Sequence, residues 1–230
     1  MTIDQNKTLG ELVMLYPDTV KVLNGYKIDY CCNGHESLAT AMERLKTPNN
    51  ELIEALQTAI DQQDVSTVKD WQKATMTDLI DHILKTHHVF MRESLDELNF
   101  LVFKILKVHF VSHGEQLLQV HHLFGTLKTE LEAHMVKEEE NLFPMIKSYE
   151  AFNNANTKKD ILAFIQETES EHDAAGDLFK ALELVTNDFT APEDGCRTYK
   201  RAFDLLGALQ KDTFNHIHLE NSVLFKKLAI

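Results

Sequence analysis

The sequence predicts an all-α protein, an up-down-up-down four-helix bundle preceded by a small helical N-terminal domain. Three observations predict it. Glycine and proline are scarce, 8 and 4 in 230 residues, too few for a turn-rich β fold. From Thr77 onward, apolar residues recur at helical spacing through four long segments with short connections. Finally, a His-x-x-x-Glu pattern followed by Leu-Phe occurs twice, from His134 to Phe143 and from His216 to Phe225, which reads as an internal duplication.

In chain order, Thr8 is placed to cap a first helix over residues 8–23, with Leu9, Leu12, Val13, Tyr16, Val20 and Leu23 as its stripe and Asn24-Gly25 as its stop. A loop from Tyr26 to His35 carries the adjacent thiols Cys31 and Cys32. Ser37 caps a short helix, Leu38 to Leu45, and Pro48-Asn49-Asn50 opens another that runs to about Gln62. Residues 64–70 are polar and carry no stripe, which divides the chain into domains 1–66 and 72–230. Helix A then begins at Thr77-Asp78 with Ile80, Leu84, His88, Met91, Leu95, Leu98 and Val102 in step. Helix B runs from roughly Gln116 to Lys147, and helix C follows the loop at Asn153–Thr157. Helix D follows the break at Ala191–Gly195.

Composition narrows the function classes. A net charge of −13 argues against a nucleic-acid backbone or an anionic membrane as the main partner. The most apolar run, Phe100 to Val111, is interrupted by Lys104, Lys107 and His109 and is too short to span a bilayer. Three cysteines, two of them adjacent, make no disulfide framework and fit a reducing compartment. No apolar segment of a secretory signal follows the N-terminus, so the expected location is cytoplasmic. The apolar end of helix A, around Phe100–Phe110, has two readings: it packs on the N-terminal domain, or on another subunit in a homodimer.

The chemistry lies in polar residues at positions that should be apolar. His134 and Glu138 stand one helical turn apart on one face, as do His216 and Glu220, and His172 holds the same place in helix C. A stranded carboxylate in a bundle core costs several kcal/mol, so a compensating cation is implied. Helix A offers His82, His87 and His88, of which His88 fits Leu84, Met91 and Leu95 best. The set His88, His134, Glu138, His172, His216 and Glu220 contains four imidazoles, two carboxylates and no thiolate. It suits two ions about 3.5–4 Å apart; on affinity the donors admit iron, zinc, manganese or copper, and analogy with carboxylate-bridged bundles, which use Glu-x-x-His rather than this spacing, favours iron. Positions not filled by protein are open to oxo, O2 or NO. Glu130, one turn before His134, and Glu171, beside His172, are candidates to hold a ligand's second nitrogen or to guard access. The alternative for each is a solvated surface carboxylate. Glu139 and Glu140 are expected to face water. His35, His113, His121, His122 and His218 read as surface or packing residues, and His109 is ambiguous. Cys31-Cys32 reads either as two small buried residues or as a thiol pair for redox exchange or transient metal handling.

These motifs, in this order, resemble those of the iron-sulfur cluster repair di-iron proteins of the ScdA/YtfE type. The resemblance spans the whole chain. It rests on Gly25-Tyr-Lys-Ile-Asp-Tyr-Cys31-Cys32-Asn-Gly34 and then, as in a hemerythrin-like domain, on Ile80-Asp-His82, His134 to Met145, Glu169-Ser-Glu-His172-Asp, and His216 to Phe225. The resemblance implies a stress-response protein with an oxo- and carboxylate-bridged pair of non-haem iron ions. It assigns their ligands to His88, His134, Glu138, His172, His216 and Glu220, with both glutamates bridging. It also implies that Cys31 and Cys32 are the family's cysteine pair, that damaged iron-sulfur proteins are the partners, and that NO or O2 is the small ligand. Repair by iron donation, by nitric oxide handling, or by both fits this picture. The competing expectations are a carrier or sensor of O2 or NO and an NO reductase at the same centre. The Cys-Cys domain discriminates, because a pure carrier has no use for it. Two departures stand out. His87 occupies a position where a non-histidine is usual, which leaves open a ligand swap in helix A, and Asn33 stands where glycine is frequent.

Overall fold

The computed structural model describes residues 3–45, 49–62 and 71–229. Among the described residues the regular structure is helical, apart from one antiparallel bridge between Thr8 and Ser37, and no helix is long and apolar enough to cross a membrane. The chain forms two compact units. One contains the residues up to Leu79 together with those from Ile217 on, and the other is Ile80–His216. The boundary expected at residues 64–70 falls outside the described residues.

In the first unit, α1 (Leu9–Leu15) opens with a reciprocal cap. The Glu11 amide donates to Thr8 Oγ1 at 3.2 Å and the Thr8 amide donates to Glu11 Oε2 at 3.0 Å, which satisfies two amides the helix itself cannot. The single helix expected over residues 8–23 is two. Tyr16 leaves the helical region (φ −136°, ψ 75°) and α2 (Thr19–Gly25) starts afresh. Pro17 is the cause, since it has no amide to donate and crowds the residue before it out of the α region. Ser37 caps α3 (Leu38–Glu43) through the Thr40 amide, and α4 (Asn49–Gln62) follows. Leu9, Leu12, Leu23, Leu38, Leu52 and Leu56 are buried in this unit. Two glycines allow chains to meet closely: a Cβ on Gly10 would lie 2.5 Å from Ser222 Oγ, and one on Gly34 would lie 2.7 Å from the Tyr30 carbonyl.

The second unit is built from long helices. Helix α5 (Met76–Ile83) passes through a π turn, Leu84–His88, into α6 (Val89–Lys137). Helices A and B of the sequence reading are thus one run of helical residues, interrupted only where His109 (φ −107°, ψ 18°) and His113 (φ −132°, ψ 18°) leave helical geometry. The chain reverses there. Phe103 meets His121, Arg92 donates to Glu139 at 2.7 Å and His88 donates to Glu139 at 2.6 Å, so partners are farther apart in sequence the farther they lie from the kink. A second π turn, Glu138–Leu142, leads into α7 (Phe143–Phe152), which ends at Asn153 in the left-handed conformation. Asn154 caps α8 (Ala155–Thr186). After the break, α9 (Arg197–His218) runs to the edge of this unit, and the chain continues through a third π turn, Leu219–Leu224, into α10 (Phe225–Ala229), both of which belong to the first unit. The core between the arms joins Met91, Leu95, Leu98, Val102 and Ile105 with Leu117, Val120, Phe124, Leu127 and Leu131. Phe179 and Leu182 of α8 and Tyr199, Phe203, Leu206 and Leu209 of α9 close it. Side chains of this kind contribute about 1.5–3 kcal/mol each when fully buried. At the kinked end, Tyr199 donates its hydroxyl to Gln116 Oε1 at 2.9 Å, and Gln116 donates to the Val185 carbonyl at 2.7 Å. These bonds tie α6, α8 and α9 together.

Candidate metal centre

Above that apolar core the helices turn polar inward. His134 lies in the last turn of α6, Glu138 opens the second π turn, His172 lies mid-way along α8 and His216 lies near the end of α9. Helix α9 runs without a break into the third π turn, so Glu220 stands one turn beyond His216 on the same rod. One donor atom from each of His134, Glu138, His172, His216 and Glu220 lies within 4.8 Å of all the others, and all five residues are buried. His88, at the end of the first π turn, is fully buried and points its Nε2 at the same carboxylate, 3.3 Å from Glu138 Oε2. His134 Nε2 is also 3.3 Å from that oxygen, and His216 Nε2 is 3.7 Å away.

The π turns explain why both His-x-x-x-Glu copies are followed by Leu-Phe. A π turn holds one residue more than an α turn. The two residues after the glutamate's own turn therefore straddle its face, and both are covered: Leu142 and Phe143 in one copy, Leu224 and Phe225 in the other. Glu138 and Glu220 are themselves buried.

The far nitrogens of two imidazoles are held by carboxylates. His134 Nδ1 donates to Glu171 Oε2 at 2.9 Å, and Glu171 is also engaged by Lys137. The hydrogen bond from His134, ahead of burial, which works the other way, and of Lys137, holds the Glu171 carboxyl at about 2. His88 Nδ1 donates to Glu139 Oε1, and Arg92 grips the other oxygen of Glu139. Burial works to raise the Glu139 pKa, but the Arg92 and His88 hydrogen bonds outweigh it and the net shift is downward. Glu139 therefore does not face water as expected; it fixes the tautomer of His88. Protons on Nδ1 leave the Nε2 lone pairs facing the centre. Arg92 lies one helical turn beyond His88 on the same arm, so the two meet Glu139 together.

Buried imidazole lone pairs and carboxylates that converge this closely are the donor set of a borderline transition-metal cation, and the residues present fit one. His87, the alternative in helix A, is engaged elsewhere: its Nδ1 meets Asp212 Oδ1 at 3.0 Å, while the His82 ring packs edge-on against it. Glu130 is exposed and lines a shallow groove with His121, His122, Gly125, Thr126 and Thr129. Cys31 is buried, Cys32 is half-buried and both are free thiols, with Sγ atoms 3.7 Å apart.

Comparison with known proteins agrees with this geometry. The profile of the hemerythrin HHE cation binding domain matches residues 79–228, and that of ScdA_N, a domain of unknown function, matches residues 5–60. The chain is 35% identical over 223 residues to the iron-sulfur cluster repair protein YtfE of Shigella boydii serotype 4. The match spans 97% of this chain and 96% of the relative. The proteins of the same name from Escherichia coli O139:H28 and Escherichia coli K12 match to the same extent.

Proposed function

The chain belongs to the family of the iron-sulfur cluster repair proteins and contains a hemerythrin HHE domain, and from this premise we propose that it is a non-haem di-iron protein that restores iron-sulfur clusters damaged by nitrosative or oxidative stress. The observation that carries the reading is the buried convergence of His134, Glu138, His172, His216 and Glu220, with His88 directed at the same carboxylate. Six donors, two of them carboxylates able to bridge, suit two iron ions. Iron bound there supplies coordination of NO or O2 and exchange between the ferrous and ferric states. The protein's own part is to hold the donors. Glu171 and Glu139 orient His134 and His88, and Arg92 and Lys137 offset the added negative charge. The partners are damaged iron-sulfur proteins, and the three free thiols support action in the reducing cytoplasm.

The test combines metal analysis and Mössbauer spectroscopy of the iron-loaded chain with a repair assay on an NO-damaged iron-sulfur enzyme. Two irons per chain and restored activity are expected, with both lost in Glu138→Ala. Zinc in place of iron, or repair that persists without bound metal, overturns the reading. Anaerobic mixing of the reduced protein with NO separates the reductase version, which requires N2O as product.

A further inference from the structure

The loop that carries the thiol pair holds a third metal donor. Asp29 Oδ1 accepts from Cys31 Sγ at 3.3 Å, and the two sulfurs stand 3.7 Å apart. One atom from each of Asp29, Cys31 and Cys32 lies within 4.8 Å of the other two. These separations match those of a coordination polyhedron. Two sulfurs bound at about 2.3 Å to one tetrahedral ion stand roughly 3.8 Å apart, and a sulfur and a carboxylate oxygen roughly 3.5 Å apart. A disulfide between adjacent cysteines is strained by the short ring it closes. Here they converge on a point that a carboxylate also faces.

Backbone and side chains hold the arrangement in place without the thiols. Asp29 Oδ1 accepts the Cys32 amide at 3.0 Å and the Asn33 amide at 3.4 Å, and Asp29 Oδ2 accepts Asn33 Nδ2 at 3.1 Å. Asn33, the departure from the family pattern, thus orients the carboxylate as an outer-shell residue orients a metal ligand. The Cys31 carbonyl accepts from Asn221 Nδ2 at 3.4 Å, the Tyr30 ring packs against His218, and the Gly34 carbonyl accepts the Gly10 amide at 2.8 Å. Cys31 is buried and Cys32 is partly open, so the site is rigid on one side and reachable from the other.

We propose that Asp29, Cys31 and Cys32 form a mononuclear site for one divalent thiophilic ion of the Fe(II) or Zn(II) class, with the fourth tetrahedral position open to an exogenous ligand. Binding displaces two thiol protons to solvent, and the dication offsets the converging negative charges. The site stands on its own geometry. Only its use as an iron-holding station in cluster repair rests on the reading of the preceding section.

The experiment uses the full chain with the histidine-carboxylate centre already filled with iron, in the Cys196→Ser background and under anaerobic reducing conditions, and titrates it with Co(II). The readout is the near-ultraviolet thiolate-to-cobalt charge-transfer band, which a centre of imidazoles and carboxylates cannot produce. The band is expected to saturate at one cobalt per chain, to disappear in Cys31→Ser and in Cys32→Ser, and to persist in Asp29→Asn with affinity weakened about tenfold or more. Asparagine keeps the acceptor for the Cys32 amide, and hydrogen exchange at residues 32 and 33 verifies that the loop is intact. Absence of the band in the wild-type chain, saturation at half an equivalent, or survival of the band in either cysteine variant overturns the site. Unchanged affinity in Asp29→Asn removes the carboxylate from it. These readouts do not depend on repair activity, so failure here and failure of the repair reading are distinguishable.

Discussion

The centre depends on single residues in ways that separate cleanly. Glu138 Oε2 is the oxygen that His88, His134 and His216 all approach. Glu138→Gln keeps the shape but removes the charge and one acceptor, and bound iron is expected to fall below one per chain by metal analysis. Glu171 acts one step out, on His134. Glu171→Gln is therefore expected to leave iron binding in place but weaken it about 10–100-fold, read by competition with a chelator. Elsewhere, Cys196 is exposed and lies 3.2 Å from His109 Nε2. The hydrogen bond from His109, with help from the Tyr199 and Thr198 amides, lowers the thiol from the usual 9.0 to about 7. A lowered thiol pKa makes the thiolate, and hence alkylation, rise through pH 7 rather than two units higher. His109→Ala is expected to move that midpoint upward, measured as the pH profile of iodoacetamide modification at this residue. Much of the residue scale was legible in the sequence, because a carboxylate on an apolar stripe demands a partner. Glu139 was not legible, because its neighbour in the sequence faces the centre while Glu139 itself meets an arm that the sequence places 51 residues away.

At the scale of elements, helical periodicity located the long rods but not how they end or join. Pro17 divides the first predicted helix, and the proline itself was the missed signal. The reversal of α6 at His109 and His113 uses residues that carry no turn signature, so two helices with a short connection were expected where one kinked helical run is found. The π turns are invisible to spacing, because each His-x-x-x-Glu interval reaches only the opening of its turn: Glu138 is the first residue of one and Glu220 the second of the other. Close approach between elements is equally hidden until the chains meet. Gly10→Ala would drive a Cβ to 2.5 Å from Ser222 Oγ, with the Gly34 carbonyl 3.0 Å away on another side. Thermal unfolding is expected to show a loss of about 1–3 kcal/mol, of which Ser222→Ala restores a part. If Gly10→Ala is as stable as the parent, the close packing of α1 on the third π turn is wrong.

For the whole molecule, donors drawn from α6, α8, α9 and the π turns that follow α6 and α9 would make a bound metal part of the tertiary structure. A site held a thousandfold above its dissociation constant contributes about 4 kcal/mol, and each kcal/mol shifts the midpoint of a chain this size by roughly 2–4 °C. Chelation of the iron is expected to lower the midpoint by ~10 °C in calorimetry, and readdition to restore it. Unchanged melting after complete removal would mean the donors are stable without a cation.

The grouping of residues from Ile217 onward with those before Leu79 bears on how the protein is made. Domains generally mature in the order in which they leave the ribosome, yet here the early helices lack Ser222 and Asn221 until some two hundred later residues have been translated. The nascent N-terminal segment therefore emerges unfinished, and the C-terminal stretch that completes it arrives late.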